Sequence, residues 1–334
     1  MAAVSRFPPA ARATARIVVA VAIVAATVAV VGTGPLLHGI ATVSPVTIVI
    51  ACALAAVATG AAAWRWRVVA ARLGMRLTWR SAFAAYYRSQ FLNTVLPGGI
   101  LGDVHRAYAH GRDTGQVGVA ARAVAAERAA GQVVQIVLTV AVLLPLGLVS
   151  SLAPLAWAGA ALLAVVAVVA GAMAATARGR RLLHRELRML RPLCTSPRAV
   201  VAIAVSSAVV VAAHTATFVV AGLAAGIGAG AQSLGAVALI VLGASAVPVN
   251  VGGWGPREAV SASAFALIGL GASAGVMVSA AFGVLTMIAV FPGALMLAGE
   301  RVRSRRDRAR AAGSADRAVG PRPQPCTARE GSAA

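Results

Sequence analysis

Three short stretches of this 334-residue chain hold the residue types that could do chemistry. The first runs from Asn93 to Tyr108, NTVLPGGILGDVHRAY. Pro97 ends a helix there, and Gly98, Gly99 and Gly102 permit a tight, irregular backbone. Asp103 and Arg106 follow at i, i+3, a spacing that lets them face each other on one helical turn. The N–H groups at the start of such a helix favour an anion such as a phosphate. An ordinary Pro-Gly loop with a surface ion pair fits the same spacing.

The second stretch is Glu127-Arg128, inside AVAAERAAGQVV. It borders a run from 129 to 177 without Asp, Glu, Lys or Arg. Ionisable groups so close to an apolar core usually face the interior of a bundle or a watery cavity. The alternative is a boundary pair that snorkels to the interface. The third stretch, PVNVGGWGPRE from Pro248 to Glu258, interrupts a long apolar region with Gly252, Gly253, Gly255 and Pro256. Arg257 and Glu258 are the only charges between 199 and 299. Two Gly/Pro-broken segments in corresponding halves of a membrane chain point to a transporter site at the interface of the halves. A plain cytoplasmic loop is the competing reading.

Other chemistry is excluded by what the chain lacks. All 30 basic residues are Arg, so a Walker P-loop and a Schiff-base mechanism have no lysine to use. Cys52, Cys194 and Cys326 are far apart, and no CxxC or Cys/His cluster occurs, so no metal site and no cofactor are expected. The net charge of +21 is no nucleic-acid signature, because the arginines sit in loops and tails beside apolar runs.

The elements that position these motifs follow from hydropathy. Sixty per cent of residues are hydrophobic, 12% are charged, and mean hydropathy is +0.85. Soluble domains carry roughly 25% charged residues. The chain therefore reads as an integral membrane protein. Residues 17–64, 129–177, 199–256 and 259–299 hold no Asp, Glu, Lys or Arg. A spanning helix takes roughly 20 apolar residues, so each run has room for about two spans. The expected spans are 17–37, 45–64, 124–149, 152–176, 199–222, 233–249, 258–273 and 275–299, with 258–273 short enough for a half-helix. The fold class is an all-α polytopic membrane helix bundle of about eight spans, with one or two broken or re-entrant Gly-rich segments. Residues 1–16 read as a basic cytoplasmic N-terminus, 17–299 as the transmembrane domain, and 300–334 as a disordered Arg-rich cytoplasmic tail.

Positive-inside logic places both termini and the basic loops 65–80 and 178–198 in the cytoplasm, and the protein in the cytoplasmic membrane. Segment 78–96 carries Trp79, Phe83, Tyr87 and Phe91 every four residues, one stripe of a helix. It reads either as an interfacial helix or as a helix that dips into the membrane and stops at Pro97.

Together, NTVLPGGILGDVHRAY, the Glu127-Arg128 pair and VPVNVGGWGPRE resemble the membrane region of the lysylphosphatidylglycerol synthase family, which includes flippase-like membrane proteins. The resemblance implies a bundle that moves a lipid between leaflets. It carries a lipid-headgroup role onto Asn93, Gly98, Gly99, Gly102, Asp103, Arg106, Glu127, Arg128, Gly252, Gly253, Arg257 and Glu258. It extends the motif match to Pro97 and Gly255. No soluble aminoacyl-transfer domain follows residue 299, so lysine transfer to phosphatidylglycerol is not expected.

The expected function is therefore movement of an anionic phospholipid or polyprenyl-phosphate-linked lipid. Arg106, Arg128 and Arg257 would hold the phosphate, and Asp103, Glu127 and Glu258 would pair them when the site is free of lipid. All six are expected to line one polar cavity. Alternatives are a membrane-embedded transferase acting on a lipid phosphate, and a non-catalytic partner of a separate synthase or glycosyltransferase.

Overall fold

The computed structural model describes residues 32–96, 99–145, 175–245 and 255–300, besides isolated positions. The proposed spans 17–37 and 152–176 lie largely outside the described residues, as do Pro97, Gly98 and the segment 246–254. Everything described is helix or short connection, with no strand among the described residues.

The helices are α1 (Gly34–Ala41), α2 (Pro45–Arg72), α3 (Trp79–Val95), α4 (Leu101–Asp113), α5 (Val117–Leu143), α6 (Ala177–Cys194), α7 (Pro197–Ala224), α8 (Ala231–Ser245), α9 (Pro256–Leu267) and α10 (Ala272–Val290). Four helical segments are long and apolar enough to cross a bilayer: Pro45–Arg72, Val117–Leu143, Pro197–Ala224 and Ala272–Glu300. The 12-residue α9 is the short element expected near 258–273. The chain divides into a unit ending at Ala294 and a second unit from Leu295, which is helical over 295–300.

Local chemistry fixes the helix starts. Ser44 and Thr47 form a reciprocal capping box at α2, with Pro45 in the first turn. Ser196 caps α7 in front of Pro197, Thr78 caps α3 and Thr176 caps α6. Each hydroxyl accepts from an N–H that the helix leaves unpaired, and proline takes a place where no N–H is needed.

Two expected loops turn out to be helical. The span expected at 45–64 continues to Arg72, so Arg65, Arg67 and Arg72 stand on α2 instead of in a loop. Nothing stops the helix at Arg65, because arginine is a good helix former and the next glycine is Gly74. Arg67 Nε donates to the Leu77 carbonyl at 3.0 Å and its guanidinium lies over the rings of Trp64 and Trp79. The basic segment 178–198 likewise folds mostly as α6. The six arginines of α6 stay outside the four long apolar helices, and Arg198 stands in the first turn of α7.

Two apolar cores hold the first unit together. One surrounds Phe218, Phe265 and Phe282 with Leu234, Val241, Val278 and Leu285, all buried. The other surrounds Trp66, Val69, Tyr86, Ala123 and Val124. α2 packs along α7, while α4 packs on both α3 and α5. The α3–α4 pair is thus a helical hairpin with its break at 96–100. Leu96, the residue before Pro97, is extended (φ −89°, ψ 143°) and ends α3. Gly99 takes φ +62°, which an L side chain adopts only with strain.

Candidate functional site

The hairpin is stitched by the first motif. Asn93 Oδ1 accepts from the Gly102 N–H at 2.8 Å, and Asn93 Nδ2 donates to Asp103 Oδ2 at 3.1 Å. One turn earlier on α3, Ser89 Oγ donates to Asp103 Oδ1 at 2.9 Å. Asp103 is therefore held by α3 before any cation reaches it. Arg106 Nη2 then donates to Asp103 Oδ1 at 3.1 Å, the i, i+3 pair that the spacing gave.

Glu127 of α5 is the centre of the network. Its side chain is 0% exposed. Oε2 accepts from Arg106 Nη2 at 3.0 Å. Oε1 accepts from Arg65 Nε at 2.7 Å and from the Tyr86 hydroxyl at 3.0 Å. Arg65 Nη1 reaches across to Ser207 Oγ of α7 at 2.9 Å. The Arg106 guanidinium lies between two rings, 4.5 Å from Trp66 and 4.2 Å from Tyr86. Arg128 pairs with Asp103. Helices α2, α3 and α4 thus meet α5 on one acid, and α7 joins the network through Arg65. A buried carboxylate of this kind stands only because paired charges and hydrogen bonds offset its desolvation.

Among the described residues the network holds three arginines against two carboxylates, an excess of one positive charge. Arg128 is where that charge meets space: its side chain is 48% exposed, against 0% for Arg106 and 6% for Arg65. A cavity of about 570 Å³ opens there, lined by Asp103 and Arg128 with Gln132 beside them. Its other walls include Ile100, Val104, Tyr108, Val117 and Val124. Gly99 comes from the first glycine-rich break, and Ser245 is the last residue of α8 before the second.

The second motif builds its own network. Glu258 Oε2 accepts from the Gly255 N–H at 2.7 Å and so caps α9. Glu258 Oε1 accepts from Arg257 Nε at 2.9 Å and Nη2 at 2.6 Å, and from Ser279 Oγ at 3.1 Å. Arg257 and Glu258 are both buried, 6% and 1% exposed. Beside them, Ser261 Oγ donates to the Gly275 carbonyl at 2.7 Å, tying α9 to α10.

The structure therefore brings together Asn93, Gly102, Asp103, Arg106, Glu127 and Arg128, and sets Gly99 on the cavity wall. Of the six charges expected on one cavity, Asp103 and Arg128 line it, while Arg106 and Glu127 stand behind it, fully buried. Arg257 and Glu258 pair with each other on α9. Gly98, Gly252 and Gly253 lie outside the described residues. Sequence reasoning missed Arg65, Tyr86, Ser89 and Ser207. A signal for Arg65 existed: it is the first charge after 17–64 and is flanked by Trp64 and Trp66.

Close passage of both buried arginines depends on glycine. A Cβ at Gly131 of α5 would stand 2.9 Å from Arg65 Nη1, and one at Gly283 of α10 would collide with Arg257 Nη2.

Comparison with known proteins gives one family result. Residues 14–293 match the profile of the lysylphosphatidylglycerol synthase TM region. No curated protein and no solved structure matches the chain.

Proposed function

Because the chain belongs to the lysylphosphatidylglycerol synthase TM-region family, we propose that it moves a phosphate-bearing lipid between the leaflets of the cytoplasmic membrane. The observation that carries this reading is the half-exposed Arg128, presented to a 570 Å³ cavity by a buried network with one excess positive charge. A lipid phosphate supplies the missing negative charge and accepts charge-assisted hydrogen bonds from Arg128. The apolar walls at Ile100, Val104 and Val124 suit the first carbons of the chains. Headgroup passage across ~30 Å of hydrocarbon needs such a polar station.

Asp103 has a second part in this scheme. It is the counter-ion of Arg128 while no phosphate is bound, so lipid entry exchanges one anion for another. Arg106, Glu127 and Arg65 hold Asp103 and the α3–α4 hairpin at the cavity edge. In the proposed orientation both termini and α6 are cytoplasmic, since the six arginines of α6 resist translocation.

The test is reconstitution of the purified protein in vesicles with fluorescent lipids, read by a quencher that reaches only the outer leaflet. The expected result is faster loss of protection for lipids with a phosphate headgroup, in wild type but much less in Arg128→Ala. Equal rates with and without protein overturn the reading. Formation of a new lipid from a lipid phosphate and a donor would favour the transferase instead. Separately, cysteines at Arg72 and Arg185 should be labelled only after permeabilisation, and labelling from outside intact cells overturns the orientation.

A further inference from the structure

α6 has an apolar face that the bundle covers only in part. Gly179, Leu183, Glu186, Leu190 and Leu193 recur at three- and four-residue spacing and form one stripe of the helix. Gly179 is buried and the other four are half-buried. This stripe docks on the bundle, where Leu193 packs against the core around Trp66. The flanks of the stripe are apolar yet uncovered. Leu182 is 45% and Met189 38% exposed on one side, and Leu187 is 57% exposed on the other. The opposite face carries exposed arginines.

The ties of α6 to the bundle fix its level. Arg122, which grips Glu186, stands in the second turn of α5. Arg72, the last residue of α2, donates to Ser196 Oγ at 2.5 Å, and Ser196 is the N-cap of α7. α2, α5 and α7 are three of the four helices long and apolar enough to cross a bilayer. Each tie meets such a helix at its end, the level at which a bilayer presents its headgroups.

We propose that α6 lies flat in the headgroup layer and binds anionic phospholipids there. Its docked stripe rests on the bundle. On either side, Leu182, Leu187 and Met189 enter the boundary between headgroups and acyl chains. An amphipathic helix with arginines on its polar face binds an interface in this way, through buried apolar area and attraction to anionic lipid. Helical spacing divides the arginines. Arg178, Arg185 and Arg191 stand four residues from Leu182, Met189 and Leu187, so each adjoins a lipid-facing side chain and reaches headgroup phosphates. Arg181 and Arg188 lie opposite the docked stripe and face water. These five arginines outnumber the single acid of α6, Glu186, which Arg122 already holds. That excess selects an anionic over a zwitterionic layer. The two-armed bond to Glu186 sets the roll of the helix and with it the division of the arginines.

This surface is independent of lipid movement and is tested without it. In the full chain, Cys52, Cys194 and Cys326 are replaced by serine. A single cysteine, Met189→Cys or Arg188→Cys, then carries a small fluorophore, and the protein is placed in lipid nanodiscs. Two discs hold the same mixture of phosphatidylglycerol and phosphatidylcholine. The contact quencher bromine is on the anionic lipid in one and on an equal share of the zwitterionic lipid in the other. The Met189 probe should be quenched about threefold or more better by the anionic lipid, because each nearby arginine adds to the attraction. The Arg188 probe should be quenched little by either. Arg178→Gln with Arg185→Gln should bring the two lipids to equality, and high salt should act in the same direction. Equal quenching by the two lipids without those substitutions overturns the anionic preference. A Met189 probe as wet as the Arg188 probe overturns the placement of α6. Shielding that grows with the ratio of protein to lipid, whichever lipid carries bromine, gives the face to a second copy of the chain and also overturns the proposal.

Discussion

The Glu127 network and the Glu258 network use the same parts to different ends. Each has a buried glutamate, an arginine fork, a hydroxyl (Ser207 or Ser279), an aromatic ring under a guanidinium, and a glycine that lets an arginine pass. Around Glu258, among the described residues, one Arg meets one Glu within neighbouring residues of one helix. Around Glu127 the numbers are unequal, and the partners come from four other helices. A balanced pair can be sealed in an apolar core beside Phe282. The unbalanced one must open toward something negative, and it opens at Arg128. On the proposed reading, the difference separates a site that braces the bundle from one that receives a ligand.

The largest expected effect tests that contrast in stability. Glu127→Gln strands Arg65 and Arg106 in the interior, each without its full counter-charge. Breaking a buried pair in this way costs about 3–5 kcal/mol. Glu258→Gln takes one counter-charge from Arg257 and weakens one helix cap, so the loss should be smaller. Thermal unfolding of both variants, followed by size-exclusion fluorescence, gives the comparison. An equal or larger loss for Glu258→Gln would break the ranking.

The glycines come next. Gly131→Ala and Gly283→Ala each push a methyl into a guanidinium that is already locked, by Glu127 and Ser207 or by Glu258 and Ser279. Overpacking of this size costs about 1–3 kcal/mol. If the arginines are what the methyls meet, Gly131→Ala should lose most of its penalty in an Arg65→Ala background. An unchanged penalty there would place the conflict elsewhere.

Arg128→Ala should cut transport of a phosphate-bearing lipid about tenfold or more, the value of one charge-assisted hydrogen bond. Because the side chain is half exposed and Asp103 keeps Ser89, Asn93 and Arg106, stability should change little. Arg106→Ala should behave in the opposite way. Its side chain fills the gap between Trp66 and Tyr86, so truncation harms folding before it reports on transport. A variant that keeps full transport and loses stability at Arg128 would remove that residue from the site.

How much of this was legible in the sequence depends on contact range. The hairpin break, the Asp103–Arg106 pair and the inward face of Glu127 follow from spacings of a few residues and from the adjoining uncharged run. The Glu258 network was half visible, because its arginine is the next residue. The partner of Glu127 was not visible. Arg65 lies 62 residues away, in a stretch whose five arginines look like a cytoplasmic loop. Hydropathy marks where charges become costly, but not which distant charge crosses a helix over Gly131 to offset another. The single cavity expected for six charges rested on the likeness of two glycine-rich breaks. That likeness cannot distinguish an arginine facing a cavity from one paired within its own helix turn.

The smallest effect comes from a third Arg–Glu pair with almost ideal geometry. Arg122 of α5 grips Glu186 of α6 with both arms, Nε to Oε2 at 2.5 Å and Nη2 to Oε1 at 2.7 Å. The fork from Arg122, aided by the charges of Arg122 and Arg185, holds the Glu186 carboxyl below its ordinary range. A depressed carboxyl pKa means that the unfolded chain takes up the proton first as pH falls. The pair's stabilisation is therefore complete above about pH 4.5 and is lost as pH drops through the folded value. Yet the side chains are 26% and 39% exposed, so water and salt screen the attraction. Glu186→Gln should barely move the unfolding temperature at neutral pH, and should flatten its acid limb only slightly, less so at high salt. Set beside Glu127→Gln, the variant removes the same charge from an arginine fork, at a site that is exposed and has one arginine where Glu127 is buried and has two. If Glu186→Gln proved as damaging as Glu127→Gln, burial would not be what makes the Glu127 network costly to break. The excess charge at Arg128 would then lose its meaning as a sign of a ligand.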